Sequence, residues 1–138
     1  METSDNGKGA KEAGIRVLVA DDAPTALNAI CAYLELEGGF DIVGTASDGL
    51  NLLQQAELKK PDLVLVDLQM PRMNGLEVAQ RLRGTMPGVA IIVFSEFEAS
   101  ALKAECEQRG ADAFVQKSRM PEQLMREIAR LFPRPHRA

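Results

Sequence analysis

An α/β domain built on a buried parallel sheet is the fold class this sequence predicts, and three observations carry it. Five short segments, 15–20, 41–46, 62–66, 89–94 and 112–116, are rich in Val, Ile, Leu and Phe and near-continuous in apolar character. Such runs suit strands buried on both faces, since a strand with one wet face alternates. The stretches between them are long enough for helices and carry apolar residues at three- and four-residue spacing. Strand and helix alternate five times, the order that builds a parallel sheet covered by helices.

Each element has its own punctuation. The first strand runs through Val17-Leu18-Val19-Ala20 and ends in Asp21-Asp22. Pro24 then stands at a first helical turn, where its missing N–H costs nothing, and Leu27, Ile30 and Leu34 form the apolar stripe. Gly38-Gly39 ends that helix. After the second strand, Asp48 sits at a cap position. The third strand, Leu63-Val64-Leu65-Val66, ends in Asp67, which opens the loop Leu68-Gln69-Met70-Pro71-Arg72-Met73 before the cap residue Asn74 and Gly75. A fourth run, Ala90-Ile91-Ile92-Val93-Phe94, ends in Ser95; the fifth, Ala113-Phe114-Val115-Gln116, ends in Lys117. Pro121 starts the last helix, striped by Leu124, Ile128 and Leu131.

Composition bounds the rest. With 138 residues, 46% of them hydrophobic, the chain has enough apolar mass for one domain and no room for a second. Residues 1–14 are polar and read as a flexible arm, 15–132 as the domain, and the proline-flanked 133–138 as a tail that cannot continue a helix. The arm has no apolar stretch of a signal peptide, and no run approaches the roughly 18 residues of a membrane span, so a cytoplasmic protein without membrane contact is expected. A net charge of -4 and the absence of Trp argue against nucleic-acid binding by this chain alone. Cys31 and Cys106 lack CxxC spacing and are expected as inert thiols on helices covering opposite sheet faces.

In a doubly wound, flavodoxin-like (βα)5 sheet of order 2-1-3-4-5, the carboxyl ends of the first and third strands flank the switch point where ligands bind. Neighbouring strands are about 4.8 Å apart, so Asp22 and Asp67 can share one cation and Ser95 can reach a group attached to Asp67. Lys117 lies two strands away, roughly 10 Å in backbone terms, a gap its four-carbon stem largely closes. Three carboxylates so close repel one another until one is protonated or a divalent cation is captured. An all-oxygen cluster without His or Cys suits Mg²⁺. The blander reading is that acidic residues at strand exits merely cap helices.

Asp21-Asp22, Asp67 followed by Met70-Pro71 and Asn74-Gly75, Ser95, and Lys117 preceded by Phe114 resemble the set found in receiver domains of two-component response regulators. The resemblance spans Ile15 to about Phe132. It implies that Asp67 takes a phosphoryl group from the phosphohistidine of a sensor histidine kinase or phosphotransfer protein. It also implies that Asp22, Asp67 and the Gln69 carbonyl hold Mg²⁺ directly, with Asp21 acting largely through water, and that Ser95 and Lys117 bind phosphoryl oxygens. Ser95 and Phe114 would be the switch pair, and the fourth helix, fifth strand and fifth helix the surface for a downstream protein. Such a domain catalyses only its own phosphoryl transfer and slow dephosphorylation.

The chemistry fits without the analogy, because phosphoryl transfer needs a nucleophile and charge compensation but little covalent work from the protein. No GxxxxGK[ST] or GxGxxG loop is present to cradle ATP, so the donor must come from outside. An aspartyl-phosphate phosphatase would need an acid two residues after its nucleophile, where Gln69 stands. A flavin phosphate would be repelled by Asp21-Asp22. A DNA-binding transcription regulator truncated after its receiver remains an alternative. Glu96 after Ser95 and Ser118 after Lys117 depart from the commoner receiver pattern, and Gln69 and Phe97 occupy positions that tune acyl-phosphate lifetime in that family.

Overall fold

The computed structural model describes residues 14–97 and 100–133; the expected arm up to residue 13 and the tail beyond Pro133 lie outside the described residues. Five strands, β1 (Ile15–Ala20), β2 (Phe40–Ala46), β3 (Leu63–Asp67), β4 (Ala90–Ser95) and β5 (Ala113–Gln116), alternate with α1 (Pro24–Glu37), α2 (Gly49–Lys59), α3 (Gly75–Thr85), α4 (Ser100–Gln108) and α5 (Glu122–Leu131). The strands pair in parallel in the order β2-β1-β3-β4-β5. This is the flavodoxin-like (βα)5 sheet expected. Strand limits differ from the sequence reading by one residue, so Asp67 and Ser95 are the last residues of their strands, not the first beyond them.

Side-chain alternation along the strands divides the core into two layers. Leu18, Val64, Val66, Ile91, Val93 and Phe114 face α2, α3 and α4, whose Leu52, Val78, Leu82 and Cys106 close that side. Val17, Val19, Leu63, Leu65, Ile92, Phe94 and Val115 face α1 and α5 through Ile30, Leu34, Leu124 and Ile128. Every residue of β3 is buried, as the middle of a doubly covered sheet requires. Cys31 and Cys106 lie on opposite faces. Burial and then Glu35 push the Cys31 thiol up, and burial with Glu105 and Glu107 pushes Cys106 up to about 11, so both stay protonated at neutral pH.

The helix starts follow the sequence signals. Pro24 occupies the first turn of α1, and Gly38, at φ 80°, takes the left-handed position that ends it and donates its N–H to the Leu34 carbonyl. Asp48 caps α2 by accepting from Asn51 N at 2.8 Å. Asn74 and Glu77 form a reciprocal capping box on α3. Each such cap contributes about 1 kcal/mol, enough to fix where the preceding loop must end. Pro121 is the N-cap residue of α5. Among the described residues the cis peptide is Met120–Pro121, and Lys117–Ser118 is trans.

Candidate functional site

The carboxyl ends of β1, β3 and β4 and the turn after β5 meet at one edge of the sheet. The chain delivers Asp21 and Asp22 directly after β1, Asp67 and Ser95 as the last residues of β3 and β4, and Lys117 as the first residue of a 3₁₀ turn, Lys117–Arg119. Asp67 pairs in register with Phe94, so Ser95 stands one step further along the neighbouring strand. Asp21 is 1% exposed, Asp67 6% and Ser95 1%, whereas Asp22 is exposed. The two members of the Asp21-Asp22 pair therefore have different surroundings, although they are chemically identical in sequence.

Lys117 holds the buried part together. Its Nζ lies 2.8 Å from Asp21 Oδ2 and 3.3 Å from Asp67 Oδ2, and 5.5 Å from the centre of the Phe94 ring. Asp21 Oδ1 accepts from Ala23 N at 2.9 Å, a bond within the turn that leads from β1 into α1 and holds this carboxylate inward. Asp21 Oδ2 is buried, and the Lys117 ammonium at 2.8 Å is the group that compensates it. Asp67 Oδ1 accepts a long bond from Gln69 N, 3.4 Å. Burial, with Asp21 adding to it, pushes Asp67 up to about 6, against the pull of Lys117 and the Gln69 N–H. For Lys117, burial lowers the pKa, but Asp21 and Asp67 outweigh it and the ammonium is held above its ordinary value.

Ligand oxygens of Asp21, Asp22 and Asp67 lie within 4.8 Å of one another. Three hard oxygen donors with no His or Cys among them, one of them exposed, fit a divalent cation of the Mg²⁺ type. Asp22 and Gln69 line one open cleft together with Leu68, Met70, Pro71 and Leu102. Ser95 Oγ accepts from Phe97 N at 3.0 Å, so in this state it is engaged with its own loop. Phe114 is 8% exposed and packs on the α2–α4 side of the sheet. Glu96 is exposed, and so is Phe97.

The expected set thus converges: Asp21, Asp22, Asp67, Gln69, Ser95 and Lys117 share one end of the sheet, while Phe114 lies in the β5 core below it. The sequence reading missed Phe94, whose ring lies under the Lys117 ammonium in a contact of the kind that contributes about 0.5–1 kcal/mol. An aromatic one residue before a strand-end hydroxyl was the available signal. It also missed the pairing of the cap residue Asp48 with Arg72, which face each other at 3.7 Å beside the β3–α3 loop.

Five parallel strands wound both ways thus carry an acidic cluster, a hydroxyl and an ammonium at their carboxyl ends. The chain belongs to the family described as response regulator receiver domain, whose pattern it matches over residues 17–129. It is 35% identical over 112 residues to the protein-glutamate methylesterase/protein-glutamine glutaminase of Clostridium acetobutylicum, a match covering 80% of this chain and 32% of that protein. It is 34% identical over 112 residues to the nitrate/nitrite response regulator NarL of Escherichia coli K12, covering 81% and 52%. Among solved structures, the signal receiver domain of the putative response regulator NarL from Mycobacterium tuberculosis superposes with a TM-score of 0.81 at 28% identity, covering 88% of this chain and 98% of that one. The chain therefore spans between a third and about half of the length of these curated relatives. No helix among the described residues is long and apolar enough to cross a membrane.

Proposed function

We propose that this receiver accepts a phosphoryl group on Asp67 from the phosphohistidine of a sensor histidine kinase or a phosphotransfer protein, in the cytoplasm. The observation that carries this reading is the Lys117 ammonium set between Asp21 and Asp67, which prepares positive charge beside a buried carboxylate. An Asp67 carboxylate oxygen attacks phosphorus, the P–N bond breaks, and the imidazole nitrogen leaves with the electron pair, giving a mixed acyl phosphate. Lys117 and the Ser95 hydroxyl compensate charge on the transferred oxygens. Asp22, Asp67 and the Gln69 carbonyl would hold Mg²⁺, with Asp21 acting largely through water; the ion would supply further charge compensation and relieve the repulsion among the carboxylates. The chain's own chemistry is limited to this transfer and slow hydrolysis, so it is a signalling component and not a stand-alone enzyme.

The output is a population shift. Phosphorylation adds about two negative charges and new acceptor oxygens at Asp67. Drawing Ser95 onto them would give up its bond from Phe97 N and move the start of the β4–α4 loop. Phe114, lacking a Tyr hydroxyl, would follow by packing alone, and α4, β5 and α5 would present the altered surface to a downstream protein. A second reading, the receiver portion of a longer DNA-binding regulator, is favoured by the partial coverage of a relative named as a transcriptional regulatory protein and decided by the length of the native gene.

A histidine kinase domain pre-labelled on its histidine tests the transfer: label should pass to the wild-type chain in Mg²⁺ and stay on the kinase in EDTA. Transfer unaffected by EDTA would contradict the metal assignment. Mg²⁺ affinity should fall more in Asp22→Asn than in Asp21→Asn, because the Asp21 oxygens are engaged by Ala23 N and Lys117 while Asp22 is exposed. Titration followed by amide shifts near Asp67 measures this, and equal losses would reverse the ranking. Glu96→Ala should speed labelling by acetyl phosphate at low salt, with the gain shrinking as salt screens the anion. An unchanged rate would leave Glu96 as an ordinary exposed acid near a helix start.

A further inference from the structure

Gly49 opens α2, and the backbone of the β3–α3 loop presses on its bare Cα. A Cβ there would overlap the Met73 carbonyl oxygen and stand 2.8 Å from both the Met73 carbonyl carbon and the Met73 Cβ. Its φ is not left-handed, so close approach alone demands glycine at this position. The loop that leans on it carries Gln69. That loop is tied at its ends by Leu68 N to Phe94 O, 2.8 Å, and Gly75 N to Leu68 O, 2.9 Å; between these ties it touches α2 at Gly49 and through the Arg72–Asp48 pair.

Which side would yield to an added methyl is decided by how each is held. α2 buries Leu52 and Ala56 completely, and Gln55 Nε2 and Lys59 Nζ donate to the Thr45 and Val43 carbonyls of edge strand β2 at 2.7 and 2.8 Å. Arg16 Nη1 donates to the Lys59 and Lys60 carbonyls at the far end of the helix. The loop, by contrast, exposes Gln69, Pro71 and Arg72, and Arg72 already sits at φ 71°. The loop is the compliant partner.

We propose that Gly49 is a positioning residue: its missing side chain seats the β3–α3 loop against the start of α2 and so sets where the Gln69 backbone stands relative to Asp67. The consequence for cation binding rests on the metal reading given above. A methyl at residue 49 drives the Met73 backbone outward, and because Leu68 and Gly75 are pinned, the displacement is taken up between Gln69 and Arg72. Gly49 touches none of the reacting atoms itself.

The experiment is an amide-resolved Mg²⁺ titration of wild type, Gly49→Ala, Gly84→Ala and Ile128→Val. Gly84 is an exposed α3 position with nothing within 4 Å of an added Cβ, and Ile128 packs on the opposite sheet face, so the last variant lowers stability without touching the loop. Before metal is added, Gly49→Ala should shift the amides of Gln69, Met70, Arg72, Met73 and Asn74 and leave those of β4 and β5 in place, which also verifies that it folds. Its Mg²⁺ affinity should fall about tenfold, in the range seen when a ligand's supporting contacts are lost, while both controls keep wild-type affinity. Unshifted loop amides, or Gly49→Ala affinity equal to wild type, overturns the proposal. A wild-type chain that binds no Mg²⁺ sinks the metal reading instead, and the metal-free amide shifts still decide whether Gly49 seats the loop.

Discussion

Asp67→Asn is expected to abolish phosphoryl labelling and, in the absence of metal, to make the fold more stable at neutral pH. The loss of labelling follows from removing the nucleophile while keeping a side chain of similar size. The gain in stability follows from the raised pKa. Asp67 moves from an ordinary 3.8 to about 6 on folding, so the folded state favours its protonated form. The stabilisation tied to that proton is fully present below pH 3.8 and is lost as pH rises through about 6. Near pH 7 the ionised, buried carboxylate therefore costs up to about 3 kcal/mol, which an amide does not incur. That value already includes the pull of Lys117, so a net gain of up to about 3 kcal/mol is expected. Urea unfolding of both proteins in EDTA should show the difference at pH 7 and its disappearance near pH 4. A variant less stable than wild type at pH 7 would mean that the Lys117 contact outweighs the cost of burial.

Lys117→Met should have the opposite effect on the fold. The ammonium is largely buried between two carboxylates, and its raised pKa makes its contribution fully present at pH 7 and lost only as pH climbs through its folded value. Without it, Asp21 and Asp67 face each other uncompensated, and breaking a buried pair in this way costs about 3–5 kcal/mol. Protonation of Asp67 relieves the repulsion, so the loss should shrink toward pH 5, and added Mg²⁺ should recover part of it by mass action. Labelling should drop by roughly a hundredfold, as when one charge-stabilising group is removed from a transition state. Stability losses equal at pH 5 and pH 7 would contradict a charge-compensating role.

The two layers of the core were legible because alternation along each strand is a local property: Val17 and Val19 had to face one way and Leu18 and Ala20 the other. The helix starts were legible for the same reason, since Pro24, Asp48 and Asn74 act within one turn of themselves. The gathering of Asp21, Asp22, Asp67, Ser95 and Lys117 followed from strand order alone. What escaped depends on rotamers and on contacts between segments distant in the chain. Nothing in the pair Asp21-Asp22 tells which carboxylate turns inward; the bond from Ala23 N and the reach of Lys117 decide it. The place of Phe94 under that ammonium needs the β4–β5 register, and the press of Met73 on Gly49 joins a loop to the start of a helix with no local signal at either end. Phe114, expected to switch with Ser95 by packing alone, is buried in the β5 core, so its part in switching would be read from a change in packing and not from exposure.

The central claim is that Asp67 is a Mg²⁺-dependent phosphoryl acceptor. Intact-protein mass measurement after incubation with acetyl phosphate tests it most directly. In Mg²⁺ the wild-type chain should gain the mass of a single phosphoryl group, localised by fragmentation to the segment holding Asp67, with no gain in EDTA or in Asp67→Asn. A chain that gains nothing in Mg²⁺, or that gains the same mass when residue 67 is Asn, would contradict the account.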